Sequence, residues 1–215
     1  MQLDIVSDAI CPWCYIGKRQ LERALPALAD EGVTFTIRWN PFQLNPDMPK
    51  QGMPRAAYRA AKFGSAERAA ELDRRVTEAA ASVGLTFHLD RIERTPNTLD
   101  AHRLIWLAEP QGKQNELVER LFQAYFTEGR DIGDAGVLAD CADAVGVGGA
   151  LSFLNSDTAT AEILEIDRAV REAGVNGVPS FFLNGYGLFS GAVPAEQMAE
   201  ALRRATAILR NREAA

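Results

Sequence analysis

Hydrophobic positions in the first forty residues predict a strand, a helix and a second strand. Residues 3–6 carry three apolar side chains, as in a strand of a sheet that is covered on both faces. The segment from 13 to about 28 has leucines at helical spacing, which predicts a helix with one apolar stripe. Residues 33–39 are rich in β-branched and aromatic side chains and predict a second strand after a turn.

The middle of the chain, from residue 41 to about 174, has alanine-rich, charged helical periodicity in place of strand alternation. Six helices are predicted there, at residues 54–63, 66–83, 98–109, 113–127, 134–145 and 157–173. Glycines suited to the left-handed conformation follow three of these segments: Gly84, Gly146 and Gly174. Residues 146–149 are interpreted as a flexible connection, because they lack the Lys-Ser/Thr of a phosphate-binding loop.

Strand character returns near the C-terminus. Residues 180–183 and 186–190 are separated by Asn184-Gly185, and Asn-Gly between apolar runs is the strongest short hairpin signal. Apolar residues at helical spacing then predict a last helix that begins at Pro194. The predicted order is strand, helix, strand, a block of helices, hairpin and helix.

Composition limits the classes of partner. The 215 residues are 47% hydrophobic and 24% charged, with a formal net charge of -6, which is ordinary for a globular protein. No basic surface is indicated, so we expect neither nucleic acid nor a membrane surface as a partner. The N-terminal sequence lacks the pattern of a signal peptide, and no stretch approaches the roughly 18 to 20 apolar residues of a membrane span. A cytoplasmic protein is expected.

The candidate chemistry lies in Cys11-Pro12-Trp13-Cys14, between the first predicted strand and helix. Free N–H groups and the helix dipole at such a terminus stabilise a thiolate over a thiol. Free cysteine has a pKa of about 8.5 and cysteines in such motifs about 3.5 to 7.5, so the pKa of Cys11 is expected to be depressed. Cys14 shares the apolar stripe of the helix and is expected to be shielded, acting second.

Two other interpretations of the cysteine pair are an inert buried pair and half of a zinc site. Structural zinc requires four ligands, and the remaining candidates, Cys141, His88 and His102, are widely separated without ligand spacing. No metal site is therefore expected. With only three cysteines in the chain, the close pair points to redox chemistry more than to a structural framework.

Four further side chains have a structural and a functional interpretation. Cys141 has core-facing helical spacing and is expected to be a small buried hydrophobe. His102 could line a groove, but a helix histidine contacting a neighbouring carbonyl is the more common arrangement. Asp8 could oppose a thiolate at Cys11, although an Asx-turn that closes the strand is favoured. Trp13 could equally form a wall of a substrate groove or pack on the helical segment.

Gly177-Val178-Pro179 precedes the strand at residue 180. A cis Val178–Pro179 bond would expose backbone polar groups beside the thiols, where an extended substrate could pair with them. Only about 5–6% of X–Pro bonds in folded proteins are cis, so the isomer depends on the rest of the sequence. Val178 and Pro179 join Pro12 and Trp13 as candidate substrate-binding residues.

Motifs from one end of the chain to the other carry a family resemblance. They are Cys11-Pro12-Trp13-Cys14; Trp39-Asn40-Pro41-Phe42 with Leu44 and Pro46; Asn97-Thr98 with Ala101-His102-Arg103-Leu104; and Gly177-Val178-Pro179-Ser180-Phe181-Phe182. Together they resemble the FrnE-like branch of the DsbA family. The resemblance implies an α/β thioredoxin-like fold, a cis proline at Pro179 and dithiol–disulfide exchange at Cys11 and Cys14.

Combined with the helical pattern, the resemblance implies a large all-helical insertion between the βαβ and ββα halves of a thioredoxin-like fold. Residues 1–40 would form the first half of the thioredoxin-like domain, 41–175 the helical insertion domain and 176–215 the second half. The implied substrates are cysteine-containing proteins or small disulfides and thiols. No cofactor is expected, with glutathione a candidate redox partner and a homodimer one option for assembly.

Two alternative functions stay open. Glutathione transferases of the kappa class and 2-hydroxychromene-2-carboxylate isomerases resemble the same layout, but they generally have serine where Cys11 stands. The other alternative is a non-catalytic binding module whose helices recognise a partner.

For the redox hypothesis, Pro12-Trp13 adds no positive charge, so neither extreme of reduction potential is expected.

Overall fold

The computed structural model describes residues 1–213. In chain order the strands are β1 (Gln2–Ser7), β2 (Thr36–Pro41), β3 (Met53–Pro54), β4 (Arg94–Thr95), β5 (Ser180–Leu183) and β6 (Tyr186–Ser190). The α-helices are α1 (Pro12–Asp30), α2 (Arg55–Phe63), α3 (Ala66–Ser82), α4 (Leu99–Ala108), α5 (Gln114–Phe122), α6 (Ala135–Val145), α7 (Ala150–Leu154), α8 (Thr160–Glu172) and α9 (Ala195–Glu213). A 3-10 turn spans Leu89–Arg91, and a π-helical turn spans Gln123–Thr127.

Four strands form the main sheet in the order β2-β1-β5-β6. β1 is parallel to β2 and antiparallel to β5, so that Ile5 lies between Trp39 and Phe181. Asn184 and Gly185 join β5 to β6 with positive φ angles of 47° and 82°, as expected for the Asn-Gly hairpin. This mixed sheet, with α1 packed against α9, is the thioredoxin-like fold that the sequence predicted.

Helix α1 follows β1 directly and has Pro12 at its first position, where the missing N–H costs nothing. Cys14, Leu21 and Leu28 are each at most 1% exposed, which confirms the apolar stripe. After α1, the Val33 amide donates to the Leu28 carbonyl and so belongs to the helix terminus. Strand β2 therefore begins three residues later than predicted.

The helical segment also contains elements that the sequence pattern did not predict. β3 and β4 pair over two residues each, Met53 with Thr95 and Pro54 with Arg94, and both are too short to show a period. Helix α7 begins directly after Gly149, next to residues that were interpreted as a flexible connection. Its five residues are also too few for helical periodicity to be visible.

A buried polar cluster joins α1 to α5. Glu119 on α5 accepts a hydrogen bond of 2.8 Å from the Tyr15 hydroxyl and lies 2.9 Å from the Lys18 ammonium. Arg19 makes a third contact with the same carboxylate. The Tyr15 ring stacks on Phe122 with centroids 4.9 Å apart. These contacts fix the helix that carries the cysteine motif against the helical segment.

Charge pairing within this cluster makes Glu119 a source of pH-dependent stability. Burial raises the pKa of Glu119, but hydrogen bonds from Arg19 and Lys18 outweigh it, and the net shift is downward from 4.5. A carboxyl group with a lowered pKa in the folded state adds stability above its unfolded pKa. That contribution is lost as the pH falls through the folded value.

Glu119→Gln should lower the free energy of unfolding by about 2 kcal/mol at pH 7, because the buried Lys18 then keeps only Glu22 as a charged partner. The difference from the unsubstituted protein should shrink as the pH falls below 4.5, since the native carboxyl also becomes neutral. Urea unfolding at pH 7 and at lower pH measures both effects. Glu165→Gln on the exposed face of α8 is the control, and equal losses in the two variants would contradict the prediction.

Candidate active site

The cysteine motif occupies the N-terminus of α1. Cys11 is the N-cap residue with an extended backbone, and its amide donates to the Asp8 carbonyl at 3.0 Å, closing the turn from β1. The Cys14 amide donates to the Cys11 carbonyl at 3.0 Å and starts the helix. Within residues 1–213, no side chain hydrogen-bonds to cap this terminus. The positive end of the helix dipole lies at this terminus, where Cys11 is the N-cap residue.

Cys14 is shielded, as the sequence predicted. It is 1% exposed, and burial raises the pKa of its thiol well above the usual range. The neighbouring Cys11 sulfur acts in the same direction, whereas the Ser7 side chain and the Asp8 backbone partly oppose it. Burial therefore favours the neutral thiol at Cys14.

Cys11 is less exposed than its place at a helix tip suggested. Only 4% of the residue is exposed, because the loop before β5 covers it and its thiol donates to the Val178 carbonyl at 3.6 Å. The residue lines a cavity of about 500 Å³ together with Pro12, Trp13 and Val178. Access to the Cys11 sulfur is therefore through this cavity.

The loop over the cysteines contains a cis Val178–Pro179 peptide, the isomer that the family resemblance implied. Gly17 on α1 makes the close approach of this loop possible, because a Cβ atom at residue 17 would lie 2.9 Å from Pro179 Cγ. The Gly191 amide donates to the Pro179 carbonyl at 2.7 Å and holds the loop from β6. Helix, loop and sheet edge thus position Val178 beside Cys11.

Asp8 and His102 meet beneath the motif, which corrects both sequence interpretations. Asp8 is fully buried, and its Oδ2 accepts from the Leu44 amide at 2.7 Å instead of forming an Asx-turn. Its Oδ1 lies 3.3 Å from His102 Nε2, close enough for pairing but poorly aligned for a hydrogen bond. His102 thus faces a carboxylate and not a neighbouring carbonyl. The pair links the sheet to α4.

Trp13 and Cys141 differ in their exposure to solvent. Trp13 is 42% exposed and lines the cavity, so the structure supports its interpretation as a wall of the groove. Cys141 is fully buried in α6, as expected of a small core residue.

Among residues 1–213, no cluster of three or more His, Cys, Asp or Glu side chains could hold a metal ion. In the same range, no helix is long and apolar enough to cross a membrane.

A row of polar side chains on α2 lines the cavity, and sequence reasoning missed it. The four residues are Arg55, Tyr58, Arg59 and Lys62. Their spacing of three and four residues places them on one helical face, so the signal was present in the sequence. Without the fold, nothing indicated that this face turns toward Cys11.

Residues 2–203 match the family described as DSBA-like thioredoxin domain. The chain belongs to this family. DsbA-like proteins are thioredoxin-fold oxidoreductases, which supports an enzymatic role for the chain in that general sense. The match covers both halves of the sheet and the helical segment between them.

Individual proteins are similar to this chain over most of its length. The crystal structure of a probable DsbA oxidoreductase from Streptomyces coelicolor is 30% identical, with 96% of this chain and 90% of that one covered and a TM-score of 0.85. The YwbO protein of Bacillus subtilis is 26% identical, covering 92% of this chain and 98% of its own. A 2-hydroxychromene-2-carboxylate isomerase structure shares the fold at 22% identity and a TM-score of 0.66, covering 100% and 98%.

Alkylation of the reduced protein with iodoacetamide at pH 8 should label Cys11 first. Each unit by which burial raises the pKa of Cys14 lowers its thiolate fraction about tenfold, and burial also raises the pKa of Cys141. Peptide mass spectrometry at timed intervals measures the three rates. In urea the three cysteines should react at similar rates, whereas Cys14 reacting as fast as Cys11 in the folded protein would contradict the prediction.

Gly17→Ala should destabilise the protein by about 1–2 kcal/mol, because the added methyl group would overlap the Pro179 ring. In an unobstructed helix the same change stabilises by up to about 1 kcal/mol. Urea unfolding measures the stability, and the rate of Cys11 alkylation should change as the loop shifts. Gly148→Ala, where a Cβ atom meets nothing closer than 3.9 Å, is the control. A stability gain in the Gly17 variant would be inconsistent with this packing.

Proposed function

We propose that this protein catalyses thiol–disulfide exchange, with Cys11 and Cys14 as its redox couple. The observation that carries the proposal is the placement of the two sulfurs. Cys11 lines a cavity at the N-terminus of α1, and Cys14 lies buried in the first turn of the same helix, with its amide donating to the Cys11 carbonyl. Substrates would be disulfides or thiols of cysteine-containing proteins or of small molecules.

In the reductive direction, the Cys11 thiolate attacks one sulfur of the substrate disulfide. A mixed disulfide forms at Cys11, and the other substrate sulfur leaves as a thiolate that takes a proton from solvent. Cys14 then loses its proton and attacks the Cys11 sulfur, releasing the second substrate thiolate. The substrate gains two electrons, and the protein is left with a Cys11–Cys14 disulfide. Oxidation of a dithiol follows the same steps in reverse.

Two features favour this order of attack. Cys11 is the N-cap residue of α1 and lines the cavity, so a substrate sulfur that enters the cavity meets Cys11 first. Burial favours the neutral thiol at Cys14, so Cys14 has little nucleophilic thiolate until a mixed disulfide has formed beside it. Cys11 is therefore assigned as the attacking residue and Cys14 as the resolving residue.

Substrate would bind along the loop and the exposed tryptophan. The Val178 carbonyl, which accepts from the Cys11 thiol, becomes free to accept an N–H of an extended substrate once Cys11 is a thiolate. Trp13 offers an apolar wall, and Pro12 lines the same cavity. Pro179 follows Val178 in the loop that covers Cys11. No cofactor is needed for the exchange itself. Glutathione, in a cytoplasmic setting, is the proposed partner that returns the couple to its starting state.

Variants of the two cysteines test the proposal. The wild type should reduce a fluorescent peptide disulfide with glutathione as the electron donor, and Cys11→Ser should lower that rate at least 100-fold because no sulfur remains to attack. Cys14→Ser should accumulate a mixed disulfide at Cys11, visible as a mass increase. Absorbance at 240 nm between pH 3 and 9 follows thiolate formation in the wild type.

Cys141→Ser is the matched control, since it removes a cysteine that lies away from the cavity, and its rate should equal that of the wild type. Isomerase activity toward 2-hydroxychromene-2-carboxylate that survives Cys11→Ser would replace the proposal with the glutathione-dependent alternative. A wild type without any thiol-dependent activity would favour the binding module instead.

A further inference from the structure

The charged residues lining the Cys11 cavity are mostly cationic. They are Arg55, Arg59 and Lys62 from α2 and Arg75 from α3, against a single carboxylate, Asp73. The whole chain has a net charge of -6, so this lining departs from the character of the rest of the protein. A cavity with one excess sign of charge attracts ligands of the opposite sign.

Internal pairing does not remove the positive excess. Arg55 and Arg59 share the Asp73 carboxylate, with the Arg55 contact at 3.0 Å. Lys62 has only neutral partners among the hydrogen bonds of residues 1–213, namely the Tyr58 hydroxyl at 2.6 Å and Asn45 Oδ1 at 3.1 Å. The three cations of the α2 face therefore have only one carboxylate among their partners.

Two donor groups, one in the cavity lining and one beside it, lack an acceptor within the described part of the chain. Arg59 Nε is buried without a hydrogen-bond partner, and so is Nδ2 of Asn45, whose Oδ1 accepts from Lys62. Buried donors without acceptors are energetically costly, so structures normally provide them with a partner. An oxygen anion bound against α2 would offer Arg59 an acceptor.

We infer that the α2 face of the cavity is a subsite for a carboxylate carried by the disulfide substrate close to its reacting sulfur. This inference rests on the proposed function, because the ligand enters as part of the substrate. Arginine guanidinium groups match the planar, two-oxygen geometry of a carboxylate. Phe63, Leu72 and Val76 line the same cavity and would contact the apolar part of the substrate arm.

Two sources can supply this chemistry: an acidic residue of a peptide and a carboxylate of glutathione disulfide. The test compares kcat/KM for two fluorescent peptide disulfides that differ only by Glu or Gln two residues from the cysteine. The wild type should prefer the Glu peptide by about five- to twentyfold. This preference should decline as salt is raised from 20 to 500 mM, because ions screen the attraction.

Lys62→Gln and Arg59→Gln should each reduce the Glu-over-Gln preference at least threefold. Lys62 is exposed, so its substitution should leave thermal unfolding unchanged and separates recognition from folding. Arg168→Gln, an exposed helix cation paired with Glu165 and outside the cavity lining, is the matched control and should keep the full preference.

Glutathione disulfide is assayed with the same variants to identify the source. Reduced kcat/KM in the α2 variants for the Glu peptide alone assigns the subsite to acidic peptides, and reduced values for glutathione disulfide alone assign it to glutathione. Losses for both support a subsite open to either source. Equal wild-type rates on the Glu and Gln peptides, with no loss for glutathione disulfide, would overturn the inference while leaving the exchange activity standing. Absence of turnover on every disulfide would overturn the proposed function itself.

Discussion

The close approach of α1 to the loop before β5 is the contact on which the site depends. It requires the missing side chain at Gly17, because any Cβ atom there would meet the Pro179 ring. Six residues earlier, at the N-cap of the same helix, the Cys11 thiol donates to the Val178 carbonyl. The other face of α1 is fixed by Lys18 against Glu119 of α5. One helix thus sets the distance from the reacting sulfur to both the loop and the helical segment.

Local pattern predicted much of this architecture. The buried β1, the Pro12 start of α1 and the Asn184-Gly185 hairpin each follow from a few neighbouring residues, and all three are present. The same local reasoning failed where partners are distant in sequence. Cys11 is covered by a residue 167 positions away, and Asp8 is held by Leu44 and His102 instead of its own turn. Elements as short as α7 leave no period to detect.

The Asp8–His102 contact shows how polar groups join the two parts of the chain. Asp8 follows β1, His102 lies in α4, and both are nearly inaccessible to solvent. Polar groups in such an environment are stable only when each faces a partner, so their meeting restricts how α4 can pack on the sheet. The cysteine motif begins three residues after Asp8, and its position is therefore tied to that of α4.

With Cys11 as the proposed attacking residue, its position in a recess would limit which disulfides can reach it. With Cys11 only 4% exposed, a disulfide lying flat within a folded surface cannot bring its sulfur atoms to within bonding distance. Flexible segments, chain ends and small molecules can enter a recess of about 500 Å³. Such a geometry would leave the buried disulfides of folded proteins unreacted and would favour disulfides in flexible segments.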